Sequence, residues 1–483
     1  MNLMKRIHLG LLVGILILGF VLRLYRFNSP IADWHSWRQA DTSSVSRIFV
    51  QDGFNLLRPK YHDLSNVPSG LNNPEGYRFV EFPIYNLFQG GFYKLLPVLS
   101  LEQWGRLITI FASLLTVLLI YLILKKHQNE RAGLIGAFVF AALPFSIYYG
   151  RTILPDTSTA ATILAGIYFF DLWLSEKMKY KKIIFYSLSI LFTGVSFLLK
   201  PFAAFFTLPM IYLAYQAFGL KMFLNPYLWV FGTASLFPMI GWRQWMTQFP
   251  EGIPSSNWLF NEGGMRFKGA FFNWIFAERI SKLILGYWGV FLVVLGLVAK
   301  TKTSYLFFYS FLVSSILYVT VIARGNIQHD YYQILILPTL CIFAGLGGDF
   351  LLTLGKNLAN KYLAPTVFIG VLGFAFMFSW YQVRDYFNIN NRAIITAGNA
   401  VDKLTPKDSL VIANYEGDTS FLYQTKRKGW SSYQDDLNIM VKDLGADYLV
   451  IANPKPADDY FKKDYVVLEE TSEYIIFDLR KSP

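Results

Sequence analysis

The chain has 483 residues, of which 54% are hydrophobic and 18% aromatic, and only 16% are charged, against roughly 25% in soluble domains. That balance excludes a soluble globular enzyme, a disordered chain, a collagen and a coiled coil, and leaves a polytopic membrane protein. The single cysteine, Cys341, excludes a disulfide framework. A net charge of +12 would suit a nucleic-acid binder, but the Lys and Arg residues sit mostly between apolar runs, so no nucleic-acid partner is expected.

About eleven apolar runs are long enough to be read as spans, since only a segment that closes its own backbone hydrogen bonds survives in lipid. In chain order they are 7–24, 105–124, 132–150, 158–174, 183–199, 202–219, 226–242, 283–299, 304–322, 333–353 and 364–381. The first is read as an uncleaved anchor, because Arg23, Leu24 and Tyr25 offer no small-residue cleavage site. With Lys5 and Arg6 cytoplasmic, the same side receives Lys125, Lys126, Arg131, the four lysines of 177–182, Lys221, Lys300, Lys302, Lys356 and Lys361. The opposite short turns hold little beyond Arg151, Lys200 and Arg324. This asymmetry predicts a multi-pass cell-membrane protein with a cytoplasmic N-terminus.

Three outer pieces follow: a first loop at 25–104, a second large loop at 243–281 and a tail at 385–483. The expected division is a transmembrane domain, 1–384, followed by an extracytoplasmic α/β domain, 385–483. In that tail SLVIAN (409–414), DYLVIA (447–452) and EYIIFDL (473–479) read as strands. DDLNIMVKDLG (435–445) reads as a helix ended by Gly445. The fold class is thus an all-α polytopic membrane protein with a small C-terminal α/β domain.

Nearly every unusual polar cluster falls on the outer side: HSWRQADT at 35–42, EFP at 81–83, RTILPDT at 151–157, Lys200-Pro201 and RGNIQHDYY at 324–332. They are expected to converge on one surface. The span centres hold almost no ionisable residues, which counts against an ion-coupled transporter or lipid flippase. A non-catalytic cell-envelope scaffold is the other alternative. Asp41 is expected to open an amphipathic helix whose apolar face is Val45, Ile48 and Phe49. There it serves as an N-terminal helix carboxylate, as a general base, or as both. Asp156 starts a span, with the second option of orienting Asp41 or sharing a divalent cation with it. Arg38, Arg151, Lys200, His329, Tyr331 and Tyr332 are snorkelling or interfacial residues that together offer a phosphate pocket. His35 and Glu81 are candidate supports. The aromatic-rich second loop, with Trp258, Phe267, Phe271, Phe272, Trp274 and Phe276, reads as interface padding, with covering a prenyl chain as the second option.

The run HSWRQADTSSVSRIFVQDGFNLLRP followed by EFPIYN resembles the GT-C glycosyltransferases, particularly bacterial relatives of protein O-mannosyltransferases, aminoarabinose transferases and rhizobial lipopolysaccharide galacturonosyltransferases. The resemblance covers about residues 5–355. It implies a polyprenyl-phosphate sugar as donor, transferred to a lipid, glycan or protein acceptor on the outer face. It also implies Asp41 as the catalytic acidic residue of the first loop, Asp156 as a second acidic residue, and Lys200 with the HDYY segment as the region meeting the donor phosphate. A frequent acidic pair of the family stands here as Asp41-Thr42, so a divalent cation held by Asp41 and Asp156 stays an open alternative. Direct attack on the donor would invert the anomeric centre.

Overall fold

The computed structural model describes residues 3–357 and 359–481. Residues 1, 2, 358, 482 and 483 of the two expected domains, and the side chain of Lys5, lie outside the described residues. The chain forms two compact bodies. One comprises Met1–Phe27, Leu107–Trp242 and Ser256–Asp385; the other comprises Asn28–Arg106, Arg243–Ser255 and Tyr386–Pro483. The first loop therefore folds with the tail.

All eleven apolar runs are helical, and among the described residues seven helices are long and apolar enough to cross a membrane: Arg6–Arg23, Leu101–His127, Asp156–Ser175, Lys179–Leu199, Pro201–Leu224, Leu337–Leu354 and Leu363–Phe387. An eighth is reached if Gly269–Ile284 and Gly289–Val298, bent by 114° to one another, form one span. The Tyr305–Val321 helix is apolar but has only 17 residues. The run at 132–150 is split into Glu130–Ala142 and Pro144–Tyr149.

The split has a covalent cause. Pro144 has no N–H, so the carbonyl of Phe140 loses its helical partner. The guanidinium of Arg23, fully buried at the end of the first helix, replaces it. Arg23 donates to the carbonyls of Phe140 (3.2 Å), Ala141 (2.9 Å), Gly19 (3.0 Å) and Ser146 (3.3 Å), and to the Ser146 hydroxyl (2.8 Å). The two terminal nitrogens of the guanidinium thus reach five acceptors, more than the three donors of lysine could serve. Buried carboxylates elsewhere in this body meet cations near helix ends. Asp171 accepts from His127 (3.0 Å) and Lys126 (2.7 Å), and Asp349 accepts from Arg131 (2.6 Å).

The second body is built around a five-stranded sheet of order β2-β1-β3-β5-β4, with β1 Leu410–Ala413, β2 Lys428–Trp430, β3 Tyr448–Ala452, β4 Val466–Glu470 and β5 Tyr474–Asp478. The β2, β1 and β3 strands run parallel, and β5 and β4 add antiparallel. Both faces are covered. Val411, Ala413, Val450 and Ile476 pack with Ile394, Ala397 and Val401 of the Ala393–Leu404 helix, whereas Ile412, Leu449, Ile475 and Phe477 pack with Trp430 and Met440. Ala32 joins the first cluster and Leu64 the second, so the first loop supplies part of the tail's core. Residues 62–64 run beside β2 through Gly429, which accepts from Leu64 N–H (2.7 Å) and donates to the His62 carbonyl (3.0 Å). Gly429 has φ 153°, and a Cβ there would lie 1.9 Å from the Val411 carbonyl, so only glycine fits. The expected 435–445 helix is shorter, Leu437–Lys442, with the Asp436 side chain capping Asn438 N–H at 2.9 Å.

Arg427 is fully buried beneath this sheet. It donates to Asp402 Oδ1 (2.9 Å) and to the carbonyls of Pro406 (2.7 Å), Thr405 (2.9 Å) and Asp402 (3.1 Å). Hydrogen bonds from Lys407, Lys426 and Arg427 outweigh the partial burial of the Asp402 carboxyl and hold it well below the usual carboxylate range.

Two outcomes follow from these buried guanidinium groups. Replacing Arg23 by Met or Lys strands carbonyls at the Pro144 break, each costing about 1–3 kcal/mol; the thermal midpoint of the solubilised protein is expected to fall for both, with no rescue by Lys. Asp402→Asn leaves Arg427 uncompensated and is expected to destabilise by about 3 kcal/mol at neutral pH. Because the folded Asp402 pKa is depressed, its stabilisation is present above the unfolded value of about 4 and is lost as pH falls toward the folded one. Unfolding curves of wild type and Asp402→Asn should therefore converge on acidification below about pH 4.

Candidate functional site

In the transmembrane body the helix break at Pro144 delivers the turn that carries Asp156. Thr109 donates to the Thr152 carbonyl (2.7 Å), and the hydroxyls of Thr152 and Thr157 both donate to the Tyr149 carbonyl (3.1 Å each). Asp156 is the first residue of the Asp156–Ser175 helix, as expected, and is fully buried. Its Oδ1 accepts from the Lys200 ammonium; its Oδ2 is buried with no hydrogen-bond partner among the described residues.

Lys200 ends the Lys179–Leu199 helix and is itself buried. Its Nζ lies 5.4 Å from the ring centre of Tyr331 and 5.0 Å from that of Tyr332, so the ammonium is held by one carboxylate and two π faces. The two tyrosine rings stack at 4.8 Å, and His329 stacks on Tyr331 at 5.4 Å. Trp258 meets His329 edge-on at 5.7 Å, which gives this aromatic of the second loop an internal partner rather than a padding role. Phe271 is likewise buried, whereas Phe267, Phe272, Trp274 and Phe276 are exposed. Asp330 anchors the segment: it accepts from the Tyr149 hydroxyl and lies 3.7 Å from Arg279. The structure thus brings together Asp156, Lys200, His329, Tyr331 and Tyr332. Arg151 is buried as well, with its guanidinium 5.5 Å over the Tyr148 ring and a hydrogen bond to the Arg26 carbonyl (3.3 Å).

The second body holds Asp41. The helix runs Ser36–Asp52, so Asp41 lies within it and does not open it. The expectation of an N-terminal carboxylate is corrected, because the chain turns at His35 (φ 53°) six residues earlier. The apolar face of Val45, Ile48 and Phe49 is buried as expected. Asp41 is buried too. Its Oδ2 accepts from Arg78, which stands over the Tyr61 ring, and its Oδ1 accepts from Thr419 (2.7 Å), whose hydroxyl also reaches the Trp37 carbonyl (3.1 Å). Two further carboxyls lie near. Burial pushes the Asp63 pKa up against hydrogen bonds from Ser65 and Ser431, and the Asp41 charge adds to the rise. Burial likewise raises Asp418, again with Asp41 contributing, while its hydrogen bonds with Ser420 and the nearby His35 oppose the rise. Burial, then Arg47 and Lys428, hold His62 well below its ordinary pKa, so it is neutral at pH 7. Arg38 pairs with Glu81 and donates to Thr42 (3.3 Å). The half-buried His35 ring lies 5.0 Å from that of Trp34.

Sequence reasoning missed Arg78, Thr419, Asp63 and Asp418 around Asp41, and Tyr149 behind Lys200; Asp330 was read only as part of the HDYY segment, not as its anchor. One signal was available for Thr419. It closes the loop that leaves the carboxyl end of β1, the edge of a parallel sheet where functional residues collect. The donor set does not fit a resident divalent cation. Asp41 already faces Arg78, Asp156 already faces Lys200, and among the described residues no three His, Cys, Asp or Glu side chains are placed so that they could hold a metal ion together.

Over residues 81–245 the sequence matches the family model described as dolichyl-phosphate-mannose-protein mannosyltransferase. No curated protein matches significantly. Among solved structures, ArnT from Cupriavidus metallidurans bound to undecaprenyl phosphate is 13% identical with a TM-score of 0.64, the match covering 99% of this chain and 98% of that one. The apo oligosaccharyltransferase of Archaeoglobus fulgidus is 11% identical with a TM-score of 0.58, over 94% of this chain and 70% of that one. The arabinofuranosyltransferase AftD from Mycobacteria is 12% identical with a TM-score of 0.58, over 97% and 41%. In fold, therefore, the chain is a polytopic membrane protein like ArnT, the archaeal oligosaccharyltransferase and AftD, and along residues 81–245 its sequence resembles the protein mannosyltransferases.

Proposed function

We propose that the chain is a membrane glycosyltransferase that moves one sugar from a polyprenyl-phosphate donor to an acceptor hydroxyl or amine on the outer face, its N-terminus being cytoplasmic. The observation that carries this reading is the buried Lys200 ammonium, held by the Asp156 carboxylate and the faces of Tyr331 and Tyr332. An ammonium has three donors and Asp156 takes one, so two N–H groups are left for phosphate oxygens. The aromatic faces stabilise the buried ammonium without presenting a carboxylate or carbonyl acceptor to it. The departing polyprenyl phosphate needs stabilisation of its growing negative charge, which a fixed cation supplies without a general acid. ArnT, the structural neighbour, was solved with undecaprenyl phosphate, which favours the same donor class here.

Asp41 is assigned the role of general base. Arg78 and Thr419 fix the carboxylate in orientation, and its site is walled by Tyr61 and the helix to which it belongs. A base takes the acceptor proton as the anomeric carbon is attacked from the face opposite the phosphate, so the configuration inverts. The bilayer confines the donor to one depth, replacing a search in volume by one in a plane. Asp156 orients Lys200; Arg38 with Glu81 and Arg151 are assigned supporting roles in their own bodies. The sugar and acceptor are to be found by a panel of polyprenyl-phosphate sugars.

With purified full-length protein in nanodiscs and a turned-over donor, Asp41→Asn is expected to lower kcat by about 10²–10⁴-fold with little change in donor affinity. Turnover at the wild-type rate by a folded Asp41→Asn protein removes the base assignment. Lys200→Met should instead raise the Kd for undecaprenyl phosphate at least tenfold, measured by tryptophan quenching or calorimetry. Because loss of Lys200 strands a buried carboxylate at a cost of about 3–5 kcal/mol, the double variant Asp156→Asn/Lys200→Met is the folded control. Unaltered phosphate binding by that control would refute the donor-phosphate role.

A further inference from the structure

The first helix Leu3–Arg23, the Glu130–Ala142 helix, Leu337–Leu354 and Leu363–Val383 enclose an open apolar groove of 710 Å³. Its floor includes Gly10, Gly14 and Gly373, and a Cβ placed on any of the three would meet nothing within 4 Å. The walls are apolar side chains such as Leu18, Phe138 and Ile369, of which Leu18 and Ile369 are exposed. On a body that spans a bilayer, such a groove faces lipid chains.

One charged side chain lines it, that of Arg131. Its guanidinium is fixed from behind: Nε donates to Asp349 Oδ1 (2.6 Å), and Nη2 donates to the Asp349 carbonyl (3.1 Å) and the Thr353 hydroxyl (2.5 Å). Nη1 has no hydrogen-bond partner among the described residues, and the side chain is 36% exposed. Asp349 is nearly fully buried and also accepts from Gln128 (3.2 Å) and Asn129 (2.8 Å), so the arginine is clamped in one orientation while one of its ends stays unused. A planar cation held at the end of an apolar trough matches an anionic phosphodiester whose chains lie along that trough.

We infer that the groove between the first, Glu130–Ala142, Leu337–Leu354 and Leu363–Val383 helices is a binding site for one anionic phospholipid of the bilayer, its phosphate taken by Arg131 and its chains lying over Gly10, Gly14 and Gly373. This site is separate from the Lys200 cluster and does not depend on the catalytic reading. The helix of a second copy is the competing occupant, since Gly10 and Gly14 stand four residues apart on an exposed helix face.

The test uses full-length protein stripped in detergent and rebuilt in nanodiscs of phosphatidylcholine with increasing phosphatidylglycerol, then read by native mass spectrometry for lipid retained per chain. One phosphatidylglycerol per chain is expected to be retained at least tenfold over phosphatidylcholine. Gly14→Leu, whose Cβ enters open space on the floor, and Arg131→Gln, which leaves Asp349 its two amide donors, should each reduce that retention at least tenfold. Equal retention of the two lipids by the wild-type chain, which needs no variant to fold, overturns the proposal. Unchanged retention by folded Gly14→Leu also overturns it, as does a wild-type dimer that Gly14→Leu converts to monomer without loss of lipid.

Discussion

In a bilayer the backbone cannot leave a donor or acceptor unmet, and that constraint organises the transmembrane body. A proline in the run 132–150 breaks its helix, which would be costly in hydrocarbon without a substitute donor. Arg23 is that substitute, and it comes from a different helix. By bonding carbonyls on both sides of Pro144 it fixes the angle at which the Pro144–Tyr149 segment leaves the Glu130–Ala142 helix. The turn that follows is aimed by this junction. Tyr149 reaches Asp330 with its hydroxyl and takes two threonine hydroxyls on its carbonyl, and the turn then ends at Asp156. The polar cluster around Lys200 is thus tied to the first span by a short path of hydrogen bonds.

In each body some carboxylates are given a cation drawn from a distant part of the sequence, whereas Asp63 and Asp418 are held by serine donors. Asp156 meets Lys200, Asp41 meets Arg78 and Asp402 meets Arg427. Such pairs cost desolvation twice over, and a pair of apolar residues would often be at least as stable. What they supply is direction. Asp41 has one oxygen on a guanidinium and one on a hydroxyl, which fixes the carboxylate plane; Asp156 spends one oxygen on the ammonium and keeps the other unbonded. The same pairing removes the charge imbalance that would draw in a divalent cation, because a carboxylate already facing Lys or Arg has less to give a metal.

The sequence was most legible where the physics is local. Apolar runs announce helices because hydrophobicity per residue decides burial in lipid, and the strands at 410–413, 448–452 and 474–478 show as apolar stretches because the sheet is covered on both faces. It was least legible where a distant residue decides the outcome. Nothing near Pro144 says that Arg23 will satisfy the break. Nothing in SWRQAD says that the helix starts at Ser36, since no cap side chain marks it and the chain turns by the left-handed conformation of His35. The strand Lys428–Trp430 escaped because three residues carry no period, and Val466–Glu470 because an edge strand with a bulge is half exposed and rich in charge. The candidate carboxylates were found by residue type; their partners Arg78, Thr419 and Tyr149 were not, because pairing is a property of the folded chain.

This division also accounts for a fold shared at 11–13% identity with TM-scores of 0.58–0.64. Lipid-facing positions ask only for apolarity and length, so Leu, Ile, Phe and Val exchange there at little cost. The positions that admit few residues are those where a backbone group must be met or a backbone passes close: Arg23 against Pro144, and Gly347, where a Cβ would lie 1.8 Å from the Leu292 carbonyl. A handful of such contacts, set in an apolar frame that tolerates exchange, leaves the architecture nearly invariant while most of the sequence is free to differ.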